Sequence, residues 1–401
     1  MLRNKSHKLK PCIIGLGYVG LPILLNLSKK YNTSGYDISK KRILELKRGI
    51  DIFGEFSKNQ IKKDINFQSN IKNISSNNIF IITVPTPILN NKKPDLSHLK
   101  NVCNNISKIL KKKDVIIFES TVYPGVTENI CIPLIERKSK LKNGNDFFVG
   151  YSPERVNPGD NAHNLNKINK ILAYPYNFNK TNILKLYSLL GKKIIFTKNI
   201  KEAETAKVIE NIQRDVNIGL INEIYLACNN LKINFSNVIK LASSKWNFLR
   251  FHPGLVGGHC LPVDPYYFAY ICKKKKFNTK ITLAGRYIND QMAFVVKDII
   301  KSKLKQIKLK KKKKVLICGL TYKKNVADLR NSLAFKIFKM LKNKHIEGFD
   351  PLIDINTAKK NGLLINKGRL KKFNIYVILT KHDKIKKILN KIKNDKIILP
   401  I

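Results

Sequence analysis

Cys12-Ile13-Ile14-Gly15-Leu16-Gly17-Tyr18-Val19-Gly20 decides the architecture of this chain. Three apolar residues read as a buried strand, three glycines follow, and a helical pattern opens at once over residues 22–29. Glycine in this spacing allows a tight turn, a close approach of backbone to a pyrophosphate and close helix packing. The helix N-terminus favours the phosphate charge. The glycines alone would be a weak signal, and their weight comes from Asp37. That residue ends the next strand-like run, Thr33-Ser34-Gly35-Tyr36, about 20 residues on, where an acidic side chain binds ribose hydroxyls. A carboxylate there repels a 2′-phosphate, so the expected cofactor is NAD rather than NADP.

Working outward, short apolar runs recur at Ile79-Phe80-Ile81-Ile82 and Val115-Ile116-Ile117-Phe118, each followed by turn residues or a polar break. Such runs, alternating with helical patterns, predict parallel strands joined by crossover helices in a doubly wound sheet. From residue 202 to 229 the pattern turns continuously helical, with Ala203, Ala206, Ile209, Ile212, Val216, Leu220, Ile224 and Ala227 at three- and four-residue steps. A lysine-rich stretch, residues 301–314, then precedes a fresh strand signal, Val315-Leu316-Ile317-Cys318, and a glycine. Ile375-Tyr376-Val377-Ile378-Leu379 continues that second sheet. The expected fold is α/β, with two Rossmann-like doubly wound domains joined by a long central helix. The expected boundaries are 1–200 for an NAD-binding domain, 201–300 for a central helical domain, and 301–401 for a second α/β domain.

The 401 residues exceed one small fold, and 43% apolar content supplies a sizeable core. Lys and Arg number 77 against 27 Asp and Glu, a formal charge of +50. Such a field attracts anionic ligands. The excess is scattered lysine, as in Lys111-Lys112-Lys113, without aromatic interleaving, so no specific nucleic-acid surface is expected. Seven cysteines at irregular spacings, without a CxxC pair, point to a reducing compartment. No HExxH or Cys/His cluster appears, and no metal is expected. Arg3, Lys5, Lys8 and Lys10 before an apolar stretch imitate a signal peptide, but Gly15, Gly17 and Gly20 interrupt it. No window reaches the ~18 uninterrupted apolar residues of a membrane span. A soluble, cytoplasmic protein is expected.

Two further constellations carry chemistry. Gly257-Gly258-His259-Cys260-Leu261-Pro262-Val263-Asp264-Pro265 sets a cysteine in a glycine-rich loop just before an aspartate. It reads either as a nucleophile with a proton-accepting carboxylate, or as a buried thiol beside a turn aspartate. Lys207 and Asn211 share one helix face at i, i+4. An ammonium and an amide placed so can stabilise a developing oxyanion together, although an exposed lysine and a solvated asparagine fit the same spacing.

The combination resembles a known family. GLGYVGLP (15–22), VPTP (84–87), ESTVYPGVTE (119–128), YSPERVNPGD (151–160), AKVIEN (206–211), KWNFL (245–249), PGLVGGHCLPVDPYY (253–267) and GLTYKKNVADLRNS (319–332) look like the UDP-glucose/GDP-mannose dehydrogenases. The SPERVNPGD and KWNFL forms look most like the branch acting on UDP-N-acetylhexosamines. The resemblance implies a four-electron oxidation of a sugar C6 alcohol to a carboxylate with two NAD. It implies cofactor contacts at Gly15, Gly17, Tyr18, Val19, Gly20, Asp37, Thr86 and Thr121. Substrate would meet Glu154, Arg155, Lys207, Asn211, Gly257, Lys323 and Arg330, the last two flanking the turn after Leu320.

The same resemblance assigns catalytic roles. Lys207 and Asn211 would stabilise charge on oxygen, with a water near Asp264 accepting the proton. Cys260 would add to the aldehyde, and Glu154 and Thr121 would assist hydrolysis of the resulting thioester. The resemblance also makes residues 201–300 a dimerisation and catalytic-loop domain, whose long helix would provide a homodimer surface, and residues 301–401 the UDP-sugar-binding α/β domain. Where the branch usually shows a basic residue, often arginine, just before Pro253, this chain has His252, with Arg250 two positions earlier. Three other readings stand beside this one: a UDP-glucose 6-dehydrogenase, a hydroxyacid or 6-phosphogluconate type dehydrogenase, which needs no cysteine, and a decayed relative kept as a basic binding protein.

Overall fold

The computed structural model describes residues 9–61, 64–154, 167–309, 312–365, 370, 372–389 and 397–400. The chain divides into two compact units, Met1–Glu210 with Tyr266–Lys274, and residues 211–265 with 275–401.

The first unit is built on an eight-stranded sheet. Its strands are β1 (Pro11–Ile14), β2 (Ser34–Tyr36), β3 (Asn66–Gln68), β4 (Ile79–Ile82), β5 (Val115–Phe118), β6 (Phe148–Tyr151), β7 (Lys170–Ala173) and β8 (Ile194–Thr197), ordered 3-2-1-4-5-6-7-8. β1, β4, β5 and β6 are buried along their whole length, as a sheet covered by helices on both faces requires. Ile13, Leu16, Leu24, Ile81 and Ile117 lie in one core cluster with essentially no exposure. Each such side chain contributes roughly 1.5–3 kcal/mol of burial.

One pairing departs from the all-parallel expectation. β6 and β7 run antiparallel, with Tyr151 opposite Ala173, and β8 is parallel to β7, so these last two strands both run against the other six. An apolar run announces a strand but not its direction, which depends on how the chain reaches the sheet.

The second unit holds a four-stranded parallel sheet of β9 (Val315–Cys318), β10 (Ile346–Phe349), β11 (Ile375–Ile378) and β12 (Ile397–Ile398), ordered 10-9-11-12. Both strands foreseen from sequence are present. The two sheets repeat one local device. After β1, the Leu16 amide donates to the carboxylate of Asp37, which follows β2 (2.9 Å). After β9, the Leu320 amide donates to Asp350, which follows β10 (2.7 Å). In each case a carboxylate at the carboxyl end of the neighbouring strand takes up backbone N–H groups of the turn, which a Rossmann-like half otherwise leaves to a ligand.

The continuous helical pattern forms a 31-residue helix, Ile200–Asn230, two residues longer at its start and one longer at its end than the apolar spacing indicated. A 27-residue helix, Lys280–Gln306, follows later. No described helix is long and apolar enough to cross a membrane.

Candidate active site

The turn after β1 is shaped by contacts a side chain would destroy. Gly15 has φ +95°, and a Cβ on Gly20 would lie 1.9 Å from the Gly15 carbonyl oxygen and 2.5 Å from Thr83 Oγ1. The Thr83 hydroxyl donates to the Gly15 carbonyl (2.6 Å) and locks the turn from β4. A Cβ at Gly17, by contrast, would meet nothing within 4 Å. The turn is therefore closed on its protein side and open at Gly17, and the helix Gly20–Leu27 has no side-chain cap on its N-terminus. That cradle fits a pyrophosphate.

Asp37 is half-buried, its Oδ1 accepting from the Ser39 amide (2.9 Å) as its Oδ2 does from Leu16. Ser39 in turn caps the helix Lys40–Lys47 by accepting from the Arg42 amide. Arg42 donates to the Leu16 carbonyl and to Asp51, and the rings of Tyr18 and Phe53 pack 4.1 Å apart. Arg42, which touches this turn, is thus committed to Asp51, which agrees with an adenosine ribose rather than a 2′-phosphate. Tyr18 and Val19 are half-buried at the mouth.

Across the sheet, the Thr86 hydroxyl donates to the Thr121 carbonyl (2.6 Å), and Tyr267 donates to the carbonyl of Thr86 (2.6 Å). The first bond joins the turns that follow β4 and β5, and the second ties the β4 turn to Tyr267. Glu204, near the start of the long helix, is buried and accepts from the amides of Gly125 and Thr127. Glu154 is buried just beyond β6, ion-paired to Lys170. Lys170 also bridges to Glu119 (2.8 Å), which accepts from the Tyr187 hydroxyl (2.8 Å). Arg155 lies outside the described residues.

In the second unit the cysteine loop is tied down at several points. The Asn222 side chain both donates to the Gly254 carbonyl and accepts from its amide. A Cβ on Gly257 would fall 2.7 Å from the Asn331 carbonyl oxygen, and one on Gly258 (φ +94°) would fall 2.7 Å from the Tyr322 ring. The double glycine is therefore explained by close backbone packing. Cys260 is the exposed one of the seven cysteines. Asp264, four residues later, is buried and accepts from the Asn211 amide, while Asn211 Oδ1 accepts from Arg214. Lys207 is buried one turn before Asn211 on the same helix.

Behind the loop, Arg286 is wholly buried on Asp215, and Asn289 donates to the same carboxylate. Burial pushes the Asp215 carboxyl up to about 6 against the opposing pull of Arg286.

Arg330 and His259 share one carboxylate. Arg330 donates to Asp328 through Nε (3.0 Å) and Nη2 (2.7 Å), and His259 Nε2 lies 2.8 Å from the same group. Burial would raise the Asp328 carboxyl, but the hydrogen bonds from His259 and Arg330 overcome it and hold the group well below the usual carboxylate range. Lys323 sits in the same turn, its carbonyl accepting from the Thr321 hydroxyl. Arg250 and His252 are exposed. Among the described residues, no cluster of His, Cys, Asp or Glu is arranged to hold a metal ion.

Sequence reasoning passed over Lys170, Glu119, Asp328 and the Arg286–Asp215 pair. Glu119 and Asp328 stand inside quoted motifs, so position in a motif was their available signal. Lys170 and Arg286 carried none, since one more basic residue in this chain is unremarked until burial sets it apart.

A phosphate-cradling turn on a doubly wound sheet, closed by an acidic side chain, defines a dinucleotide-binding protein. Profiles of the UDP-glucose/GDP-mannose dehydrogenase family match the chain in three parts: the NAD-binding domain over residues 9–189, the central domain over 201–291 and the UDP-binding domain over 316–400. The chain belongs to that family and is an NAD-dependent nucleotide-sugar dehydrogenase.

It is 43% identical over 360 residues to a UDP-N-acetyl-D-glucosamine 6-dehydrogenase of Pseudomonas aeruginosa, covering 87% of this chain and 84% of that one. Protein CapL of Staphylococcus aureus is 41% identical, covering 92% of this chain and 89% of its own length. A solved UDP-D-ManNAc dehydrogenase from Pyrococcus horikoshii superposes with a TM-score of 0.85 at 29% identity, covering 97% of this chain and 93% of the other.

Proposed function

We propose that this enzyme oxidises the C6 alcohol of a UDP-N-acetylhexosamine to the uronic acid, for surface polysaccharide synthesis. The substrate class is supported by the SPERVNPGD and KWNFL motifs and by relatives named for UDP-N-acetylglucosamine. The observation that carries the chemistry is Cys260, an exposed thiol in a loop anchored on Asn222, four residues before a carboxylate held by Asn211.

Bound NAD supplies the hydride acceptor for each of the two oxidations. In the first, Lys207 and Asn211 stabilise the charge that develops on the sugar oxygen, and a water ordered by Asp264 takes the proton. The Cys260 sulfur then bonds to the aldehyde carbon, and the oxygen gains a proton, giving a thiohemiacetal. This adduct keeps the aldehyde from diffusing away and presents a second transferable hydride. Its oxidation leaves a thioester. Water hydrolyses that thioester, with Glu154 and Thr121 directing the attack, and the thiol is regenerated. Lys323 and Arg330 bind the UDP phosphates through charge-assisted contacts.

We also assign the active form as a homodimer. The helix Phe235–Ala242 has no buried residue, and Leu241, Trp246 and Leu249 are exposed nearby, Trp246 by 96%. A second copy covering this face is the simplest occupant.

Purified enzyme assayed with NAD and a panel of UDP-sugars tests the reading. The expected result is about two NADH per carboxylate, with a UDP-N-acetylhexosamine preferred over UDP-glucose. Cys260→Ser should fold normally and make no carboxylate. One NADH per sugar, or normal uronic acid from the folded variant, overturns the thioester route.

A further inference from the structure

Lys170 opens β7 and is 2% exposed, in a chain whose lysines are otherwise mostly at the surface. Burying an ammonium costs several kcal/mol unless partners surround it. Here Nζ meets Glu119 Oε2 at 2.8 Å and Glu154 Oε2 on another side. Glu119 is itself fixed, its amide donating to the Ile82 carbonyl at the end of β4 (2.8 Å) and its Oε1 accepting from Tyr187 (2.8 Å). Burial alone would lower the Lys170 pKa, but the two carboxylates raise it, so the side chain stays cationic. The lysine is therefore held at both ends, by strand register with Ile194 and by Glu119.

We propose that Lys170 is a positioning residue that holds the Glu154 carboxylate in register with the turn carrying Thr121. Glu119 lies two residues before Thr121 and shares the Lys170 ammonium with Glu154. The two groups assigned to water handling are thus set by one buried cation. The inference rests on the role given above to Glu154. In the step concerned, the water oxygen bonds to the thioester carbon and the carbon–sulfur bond breaks. Glu154 takes up one water proton, and the departing Cys260 sulfur regains one proton, leaving the carboxylic acid and the thiol. A carboxylate displaced by an ångström serves this step poorly, and such displacement typically costs about a hundredfold.

The test compares full-length wild-type enzyme, Glu154→Gln, Lys170→Met and Lys170→Arg, mixed with NAD and the UDP-sugar preferred by the wild type. Hydrolysis is read as the decay of the Cys260 acyl adduct by intact-protein mass spectrometry. Lys170→Met should slow that decay roughly a hundredfold, lowering kcat and KM for NAD together with kcat/KM unchanged, while Lys170→Arg recovers turnover. Normal decay in a folded Lys170→Met overturns the inference, because a purely structural lysine would lower stability and leave the adduct's lifetime alone. If Lys170→Met does not fold, Glu119→Gln/Lys170→Met, which removes one charge of each sign, is read in its place with the same two outcomes. Glu154→Gln separates the two proposals. An adduct that accumulates there but not without Lys170 removes the lysine's role alone, and no adduct in Glu154→Gln removes the role of Glu154 and the inference with it.

Discussion

Asn211 and Asp264 stand 53 positions apart and are joined by a buried hydrogen bond from the asparagine amide to the aspartate carboxylate. The other end of the same amide accepts from Arg214. Asn211 therefore orients a carboxylate, whatever else it does for the sugar. Asp264→Asn keeps the shape but removes the charge, and it sets two amide groups against each other. The expected outcome is a folded enzyme whose first hydride transfer is slowed roughly a hundredfold, measured by stopped-flow NADH formation. An unchanged first turnover would remove Asp264 from the proton path.

Gly20→Ala inserts a methyl group 1.9 Å from the Gly15 carbonyl oxygen. The turn has to open, since the Gly15 carbonyl is also held by Thr83. Overpacking of this kind costs about 1–3 kcal/mol, and NAD affinity should fall with it. Thermal unfolding with and without NAD reads both effects. Gly17→Ala, which meets nothing within 4 Å, should keep the stability and lose only the cofactor's stabilisation.

Glu119 is pushed up to about 7 from its ordinary 4.5, chiefly by burial, with Lys170 opposing and Glu154 adding to the rise. A carboxyl that holds its proton more tightly in the folded chain makes folding less favourable as pH rises from the unfolded to the folded value. The loss amounts to at most about 1.4 kcal/mol per pH unit. Asp114 and Asp215, pushed up to about 6 from 3.8 by burial, act with the same sign at lower pH. Glu119→Gln should therefore flatten the fall of Tm with pH between about 4.5 and 7. A slope identical to wild type would contradict the burial of an ionisable Glu119.

The exposed face at Leu241, Trp246 and Leu249 should close a dimer. Trp246→Glu is expected to shift the enzyme toward monomer without lowering Tm in the isolated chain, because Trp246 touches little of its own subunit, being 96% exposed. Light scattering at several concentrations measures the shift. A wild-type enzyme that is monomeric throughout would sink the assignment.

The first sheet was legible because β1, β4 and β5 are uninterrupted apolar runs, and the glycine turn because only glycine tolerates a Cβ position 1.9 Å from a carbonyl oxygen. The long helix was legible through its spacing. β3, with three residues and one of them exposed, and β8, an edge strand with none fully buried, left no comparable pattern. The reversed direction of β7 and β8 left none either. Among the proposed site residues, Cys260 and Asp264 stand out by their loop, whereas Lys170 is one lysine among many until its surroundings are known.

Sequence alone thus determined the kind of molecule: glycine spacing, an acidic residue at the right distance and apolar periodicity are local properties, written in neighbouring residues. Only the tertiary structure decided which charges are paired and which carboxylates are buried. Those depend on residues brought together from distant strands and helices, as Glu119, Glu154, Lys170 and Tyr187 are, and no local pattern encodes the loss of water around them.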